Sequence, residues 1–194
     1  GNRQVGVPMD ETNGKSPVSA CAFTPGERSL PPEVEEELKR KVAAAEHPRE
    51  MAVDVMYALQ NHYGYFSDTA LTHACDILGM THVELEELAT FYDYIYREPV
   101  GKYVIHVCDG VVCYLRHDDA FFRALCETLG VGLGETTADR LFTILPTACI
   151  GDCHKAPSML INGVFYGPVT PEMVPGIIAD LRKRAEEDIE VMCR

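Results

Sequence analysis

Four cysteines in two closely spaced pairs are the residues of this sequence whose type and spacing could do chemistry. Four residues separate Cys108 from Cys113, and three separate Cys149 from Cys153. The residues between the first pair, 109–112, are expected to form a flexible loop. Thiolate sulfur is a ligand of iron–sulfur clusters and of zinc. A [2Fe–2S] cluster takes two ligands on each iron, and each cysteine pair can supply one such set. The spacing therefore favours an iron–sulfur cluster.

Other uses of the same four cysteines stay open on spacing alone. Structural zinc usually has two residues between paired cysteines, although up to four occur. Two disulfides would need an oxidising compartment, and a dithiol of the thioredoxin type would need a Cys-x-x-Cys motif, which is missing from this sequence. Iron–sulfur chemistry ranks first, and a structural zinc module that only bridges subunits is its main rival.

The other four cysteines are expected to be bystanders. Cys75 and Cys126 lie close to apolar stripes in helical segments, a position typical of small core residues. Cys21 and Cys193 lie near the two ends of the sequence and have no partner at a ligand spacing.

No pair of histidines stands at a spacing typical of a metal site, so most are expected on the surface or in packing positions. The histidines are His47, His62, His73, His82, His106, His117 and His154. His154 and Lys155 directly follow Cys153, where a positive or hydrogen-bonding group would stabilise an anionic cluster. Simple solvent exposure is the alternative for both.

The composition indicates an acidic globular protein. A length of 194 residues with 46% hydrophobic residues suffices for one domain or two small ones. The net charge of −13 disfavours nucleic acid and anionic lipid as partners. No apolar run approaches the roughly 18 residues of a membrane span, and a signal-peptide pattern is missing. We therefore expect a cytoplasmic protein without direct membrane insertion.

Periodicity divides the chain into four parts. Residues 1–31 contain several prolines and no periodic pattern, which indicates a flexible or partner-docked tail. Residues 32–98 show four short helical patterns and predict a small helical bundle. Residues 99–187 mix strand and helix patterns and form the second predicted domain. Residues 188–194 are assigned to a C-terminal tail.

Within the bundle, local signals mark the ends of the helices. Gly64 and Gly79 follow apolar stripes, as left-handed helix-ending residues commonly do. Ser67 is a predicted N-cap, and Thr81 with Glu84 has the spacing of a capping box.

The second domain is predicted to have the order βαββα, a reduced thioredoxin-like layout. Strands are predicted over 103–107, 141–145, 158–161 and 164–166, with a helix over 118–129 and a last one capped by Thr170 and opened by Pro171. The first two strands are expected to be parallel, so both cysteine pairs would leave the same edge of the sheet. Asn162-Gly163 predicts a type I′ hairpin turn. The fold class is therefore α+β.

Four sequence segments make this chain similar to a known family. The segments are Ala-Thr-Phe-Tyr at 89–92, Pro-Val-Gly-Lys-Tyr at 99–103, Gly-Glu-Thr-Thr at 134–137 and Leu-Pro-Thr-Ala-Cys-Ile-Gly-Asp-Cys at 145–153. With the cysteine spacing, they resemble the thioredoxin-like [2Fe–2S] ferredoxins, the family that contains the 24-kDa component of respiratory complex I, known in bacteria as its E subunit. The resemblance covers roughly residues 32–185.

The resemblance implies an electron-transfer subunit of NADH:quinone oxidoreductase that carries one [2Fe–2S] cluster and has no active site of its own. Its partner would be a flavoprotein subunit that binds FMN, NADH and a [4Fe–4S] cluster within a larger oxidoreductase. We find no Gly-x-Gly-x-x-Gly and no phosphate-binding loop for such ligands in this chain. Similar subunits serve NAD-reducing or electron-bifurcating hydrogenases and NAD-dependent formate dehydrogenases, so the parent assembly stays open. In complex I the chain would be peripheral on the cytoplasmic face of the inner membrane.

Overall fold

A computed structural model describes residues 29–116 and 118–192 of the chain. The first part of the fold is helical, with α1 (Pro32–Ala44), α2 (Ala52–Tyr63), α3 (Asp68–Leu78) and α4 (His82–Phe91). The second part contains β1 (Tyr103–Cys108), α5 (Val111–Leu115), α6 (Asp118–Leu129), β2 (Phe142–Thr147), β3 (Met159–Ile161), β4 (Val164–Tyr166) and α7 (Val174–Met192). The predicted α+β class is confirmed.

The helix ends lie where the sequence signals predict them. Gly64 and Gly79 end α2 and α3 with φ values of 84° and 66°, the left-handed region that favours glycine. The Ser67 hydroxyl accepts a hydrogen bond from the N–H of Ala70 at the start of α3. Thr81 and Glu84 form both bonds of a capping box at the start of α4.

A first hydrophobic core lies among α1 to α4. Its largest fully buried side chains are Tyr63, Phe66, Met56, Leu59 and Leu85. Buried aromatic and aliphatic side chains of this size each contribute about 1.5–3 kcal/mol by leaving water, so the four short helices stabilise one another through this core.

The segment after α4 is fastened to α2 by the buried side chain of Gln60. Its amide nitrogen donates to the carbonyl of Tyr94 over 2.8 Å, and its amide oxygen accepts from the N–H of Tyr96 over 2.6 Å. The carbonyl of Tyr96 accepts from the N–H of Phe66 over 2.7 Å. These three hydrogen bonds hold residues 94–96 against the helical part of the fold.

The sheet has the strand order β2-β1-β3-β4. Strands β1 and β2 are parallel, with Tyr103 opposite Phe142 and Cys108 opposite Thr147, whereas β1–β3 and β3–β4 are antiparallel. Pro146 is tolerated in β2 because β2 is an edge strand. The predicted parallel pair and closing hairpin are both present.

A second core lies on one face of the sheet. Helices α6 and α7 cover this face, where Ile105 and Val107 pack against Phe121 and Leu125. Successive strand side chains point to opposite faces, so His106 and Cys108 point to the other face.

The β3–β4 turn has the predicted geometry. Asn162 and Gly163 have φ values of 45° and 83°, as a type I′ turn requires. The Asn162 side chain also accepts from the N–H of Val104 over 2.9 Å and donates to the carbonyl of Lys102 over 2.8 Å. The turn residue therefore also braces the start of β1.

Three details differ from the sequence prediction. The predicted loop over 109–112 is wrong at its end, because α5 begins at Val111. Thr170 makes no side-chain cap, and a 3-10 turn over Pro171–Met173 precedes α7. Helix α7 continues to Met192, into the residues assigned to the C-terminal tail. The division between residues 98 and 99 stays a prediction.

Among the described residues, no helix has the combination of length and apolar character that a membrane span needs.

Candidate iron–sulfur site

The parallel pairing of β1 and β2 brings the two cysteine-bearing loops to one edge of the sheet. Cys108 is the last residue of β1, and β2 ends at Thr147, two residues before Cys149. The N–H of Asp109 donates to the carbonyl of Thr147 over 2.8 Å and extends the ladder beyond the strands. Both loops therefore leave from neighbouring points, as the strand order predicts.

Gly110 marks the place where the two loops meet. A Cβ atom at this position would lie 3.2 Å from the carbonyl oxygen of Ala148, 3.3 Å from the sulfur of Cys108 and 3.8 Å from the Cβ of Cys149. The missing side chain thus lets the second loop approach the first cysteine closely.

Cys108 and Cys113 form the buried half of the site. Their side chains are only 3% and 1% exposed, and they pack with Ile150, Ala156 and Leu160. Burial raises the pKa of the Cys113 thiol, and the Cys108 thiol raises it further, whereas hydrogen bonds from Ser158 lower it. A metal bound here would need both sulfurs as thiolates. Its positive charge must therefore offset the free-energy cost of burying two negative charges.

Cys149 and Cys153 form the exposed half of the site. The interaction with the Cys149 thiol raises the pKa of Cys153, and Cys108 contributes to the same shift. Because Gly110 lies against both Cys108 and Cys149, the two cysteine pairs lie at the same edge of the sheet. The assignment of all four cysteines as ligands stays a prediction.

The contacts among these sulfurs are pairwise. Across residues 29–116 and 118–192, no three His, Cys, Asp or Glu side chains converge tightly enough to hold a single metal ion. Two adjacent thiol pairs match the ligand set of a binuclear [2Fe–2S] cluster, which takes two thiolates on each iron.

Asp152 lies between the two cysteines of the second loop and is 8% exposed. Its Oδ1 lies 3.3 Å from Nδ1 of His154, whose side chain is 75% exposed. Its Oδ2 has no hydrogen-bond partner within the described part of the chain. His154 therefore faces solvent and Asp152, and its predicted role towards the cluster stays a prediction, as does that of Lys155.

Cys75 and Cys126 belong to the two larger cores, not to the buried group around Cys108 and Cys113. Cys75 is half-buried in the first core and Cys126 in the second, which agrees with the predicted packing roles. Cys21, Cys193 and His117 fall outside the described residues. His47 and His82 are exposed, and His62 and His73 are half-buried.

Two residues near the cysteines carry no signal at the level of sequence motifs. Ser158 is 1% exposed, and its hydroxyl lies 3.9 Å from the sulfur of Cys113. His106 was expected on the surface or in a packing position, and it takes a packing position: it is 2% exposed and makes two hydrogen bonds. Burial lowers its pKa to about 4, so the imidazole is neutral at pH 7. Strand alternation, which puts His106 on the same face as Cys108, was the available signal.

The chain belongs to the thioredoxin-like [2Fe–2S] ferredoxin family, whose sequence model matches residues 37–182. This match contains all four cysteines of the two converging pairs, and it runs through the helical part as well as the sheet. The predicted family is confirmed, and its [2Fe–2S] cluster is the cofactor of this chain.

Two relatives are similar to this chain over most of its length. The chain is 38% identical over 133 residues to the E subunit of the NADH-quinone oxidoreductase of Pseudomonas aeruginosa, covering 69% of this chain and 80% of that protein. It is 36% identical over 143 residues to the corresponding E subunit of Escherichia coli, covering 74% of this chain and 86% of that protein.

A solved structure of similar fold belongs to a larger protein. The NAD⁺-reducing [NiFe]-hydrogenase in its air-oxidised state matches with a TM-score of 0.58 and 25% sequence identity. The match covers 67% of this chain, which spans about a quarter (23%) of that hydrogenase chain.

The residues present fit a [2Fe–2S] cluster. The donor set is four cysteine sulfurs in two adjacent pairs, and Gly110 leaves the space in which the two loops approach each other. The Ser158 hydroxyl and the Cys113 sulfur are within hydrogen-bond distance at 3.9 Å, the kind of outer contact that tunes such centres.

Proposed function

We propose that this chain is an electron-transfer subunit of the NADH dehydrogenase module of an NADH:quinone oxidoreductase, with Cys108, Cys113, Cys149 and Cys153 as cluster ligands. The observation that supports the proposal is the position of the two cysteine loops at one edge of the sheet, where β1 and β2 end side by side and Gly110 lies against both loops. The two NADH-quinone oxidoreductase relatives, whose length the chain largely covers, support the parent assembly.

A bound [2Fe–2S] cluster supplies one-electron redox chemistry. The chain itself supplies the ligands and their surroundings. Cys108 and Cys113 hold the inner side from β1 and α5, which are fixed by the sheet and by burial. Cys149 and Cys153 hold the outer side from a loop that solvent reaches. Electrons would therefore cross on the side of the second pair.

Exposed apolar side chains beside the first pair support docking to another subunit. On α5, Val111 and Leu115 are each 69% exposed and Tyr114 is 64% exposed. Such side chains grouped on a short helix are typical of surfaces that a partner covers. We infer that the partner binds at this edge of the sheet, close to the cysteines.

The partner that fits is a flavoprotein subunit that binds FMN and NADH and carries a [4Fe–4S] cluster. Hydride transfer from NADH moves two electrons, whereas a [2Fe–2S] centre takes one, so a flavin has to stand between them. We place that flavin on the partner, within a multisubunit assembly that is peripheral on the cytoplasmic face of the inner membrane.

The equivalent subunit of a NAD⁺-reducing hydrogenase is the alternative parent assembly. The hydrogenase structure that shares this fold favours it. The complex I assignment is preferred because the chain covers 80% of the Pseudomonas aeruginosa relative at 38% identity, compared with 23% of the hydrogenase chain at 25% identity. The proteins that co-purify with the chain distinguish the two.

Ligand variants test the site. Replacing Cys108, Cys113, Cys149 or Cys153 singly by Ala should abolish or scramble the cluster, measured as iron and acid-labile sulfide per chain. Cys75→Ala is the distant control and Cys126→Ala the control within the same part of the fold, and both should retain iron. Normal iron content in Cys149→Ala would refute the ligand assignment.

Reduction experiments test the partnership. The purified, flavin-free chain should be bleached by dithionite but not by NADH, because it offers no acceptor for a hydride. Adding the flavoprotein partner should restore bleaching by NADH. Rapid bleaching of the isolated chain by NADH would overturn the accessory-subunit role.

A further inference from the structure

His106 is a buried polar residue in the middle of β1, two residues before the ligand Cys108. It is 2% exposed, and strand alternation puts it on the same face of the sheet as Cys108. An imidazole enclosed in this way costs free energy unless both ring nitrogens have partners. Both ring nitrogens of His106 have one.

The two partners come from different parts of the fold. Nδ1 of His106 lies 2.7 Å from the hydroxyl of Thr147, and Nε2 lies 2.7 Å from the hydroxyl of Tyr96. Thr147 is the last residue of β2 and is paired with Cys108 in the strand register. His106 therefore ties the two strand ends that carry the cysteine loops to the segment that follows α4.

That segment is rigidly attached to the helical part through Gln60, which bonds the backbone of both Tyr94 and Tyr96. The ring of Tyr96 is also nearly parallel to that of His106, with 5.9 Å between ring centroids and an angle of 25° between the planes. The tie between Thr147, His106 and Tyr96 thus continues into α2.

Tyr94 reaches the cysteines from the same segment. Its ring centroid lies 4.6 Å from that of His106 in an edge-on arrangement, and it packs against the buried group that contains Cys108 and Cys113. Burial raises the pKa of the Tyr94 hydroxyl, and the charges of Asp93 and Cys108 contribute. Part of the wall around the first cysteine pair is thus supplied by the helical half of the chain.

We propose that His106 is a positioning residue of the iron–sulfur site: it locks Thr147 and Tyr96 together, so that Tyr94 covers the Cys108–Cys113 side of the cluster. The inference rests on the proposed ligand set. It assigns the helical half of the chain a part in enclosing the cluster, in addition to any part in docking.

The physical consequence concerns solvent access and ligand geometry. Outer contacts that orient ligands and exclude water change the stability and electronic properties of a metal centre. Loosening the tie at His106 should let Tyr94 move and the two strand ends separate slightly. Chelators would then remove iron faster, and the electron paramagnetic resonance (EPR) spectrum of the reduced cluster would change.

Three variants of the full-length, cluster-loaded chain separate the contributions of the two hydrogen bonds that His106 makes. Tyr96→Phe removes only the hydroxyl on one side of the imidazole, and Thr147→Val removes only the hydroxyl on the other. His106→Phe keeps a ring but removes both bonds. We expect iron release to a chelator to accelerate roughly fivefold in each single-bond variant and about tenfold or more in His106→Phe.

Thr143→Val is the matched control. Thr143 is also a buried threonine of β2, at 2% exposure, and its hydroxyl bonds the N–H of Gly101 over 2.7 Å and the hydroxyl of Thr136 over 2.8 Å. It lies at the other end of the strand from the cysteine loops. Its replacement should lower the melting temperature but leave the EPR spectrum and the rate of iron release unchanged.

The outcomes separate this inference from the proposed function. A wild-type chain without iron and sulfide would refute the proposed function itself. The positioning role alone is overturned if the wild type carries the cluster but Tyr96→Phe and Thr147→Val release iron no faster than Thr143→Val. Their EPR spectra would then also be unchanged. If His106→Phe does not fold, these two single-hydroxyl variants decide. The positioning role is supported if Tyr96→Phe and Thr147→Val each release iron faster and have altered EPR spectra. The variant that carries both substitutions should then show less than the sum of the two effects.

Discussion

Gly167→Ala should damage the cluster site from outside the cysteine loops. Gly167 directly follows β4, where its backbone lies against the turn that carries Cys153. A Cβ there would lie 2.7 Å from the carbonyl oxygen of Lys155, 3.0 Å from the Cβ of Ser158 and 3.1 Å from Oδ2 of Asp152. The first two contacts are with backbone or with the root of a side chain, so neither can rotate away. The turn has to shift as a unit.

The expected cost follows from this overpacking. Forcing a methyl group into a well-packed site typically costs about 1–3 kcal/mol of unfolding free energy. The displaced turn contains Ser158, which bonds the sulfur of Cys113, and borders Cys153. We therefore expect Gly167→Ala to lose stability in urea denaturation and to bind its cluster less tightly, seen as lower iron content after purification.

Gly176→Ala is the control for a glycine-to-alanine change as such. Gly176 lies in α7, and a Cβ there would meet nothing within 4 Å. Alanine in a helix interior is favoured over glycine by about 0.5–1 kcal/mol, so this variant should be slightly more stable with normal iron content. A Gly167→Ala protein as stable and as iron-replete as the wild type would refute the packing argument.

Two further predictions concern other parts of the fold. Gln60→Leu leaves the carbonyl of Tyr94 and the N–H of Tyr96 without their partner. Urea denaturation should therefore show an unfolding free energy lower by about 2–4 kcal/mol. An unchanged unfolding free energy would show that water replaces the amide. Partial burial raises the pKa of Asp139, but hydrogen bonds from Thr137, the N–H of Leu141 and Arg182 outweigh it and lower the pKa below its ordinary value of 3.8. This carboxyl therefore contributes stability above pH 3.8 that is lost as the pH falls through the lower folded-state pKa. Melting curves between pH 2 and 6 should show a smaller acid-induced decrease for Asp139→Asn than for the wild type, and parallel curves would contradict the shift.

Local signals explain why much of the fold could be predicted from the sequence. The Asn162-Gly163 turn, the Thr81–Glu84 capping box and the glycine that ends α2 each depend on residues a few positions apart. The common edge of the two cysteine loops could be predicted because it needs one long-range inference, that β1 and β2 are parallel neighbours.

Helix α5 lacks the signal on which helix prediction depends. It has five residues, and only Cys113 is buried, whereas Val111, Tyr114 and Leu115 face outward. Such a helix shows no stripe of apolar residues on one face, so periodicity could not reveal it.

The surroundings of the cysteines depend on contacts between distant residues. Gln60 bonds Tyr94 across 34 positions, and His106 bonds Thr147 across 41. Neither pair has a spacing that a helix or a hairpin would impose. The types of these residues suited a surface position equally well, and only the packed structure shows that His106 is buried and that Tyr94 packs against the group containing Cys108 and Cys113.

The most direct test of the iron–sulfur site is the iron, acid-labile sulfide and zinc content of the purified chain, combined with the EPR spectrum after dithionite reduction. We predict a brown protein with about two irons and two sulfides per chain and a paramagnetic signal on one-electron reduction. A colourless protein that contains one tightly bound zinc, no sulfide and no such signal would contradict the assignment of a [2Fe–2S] cluster to these four cysteines.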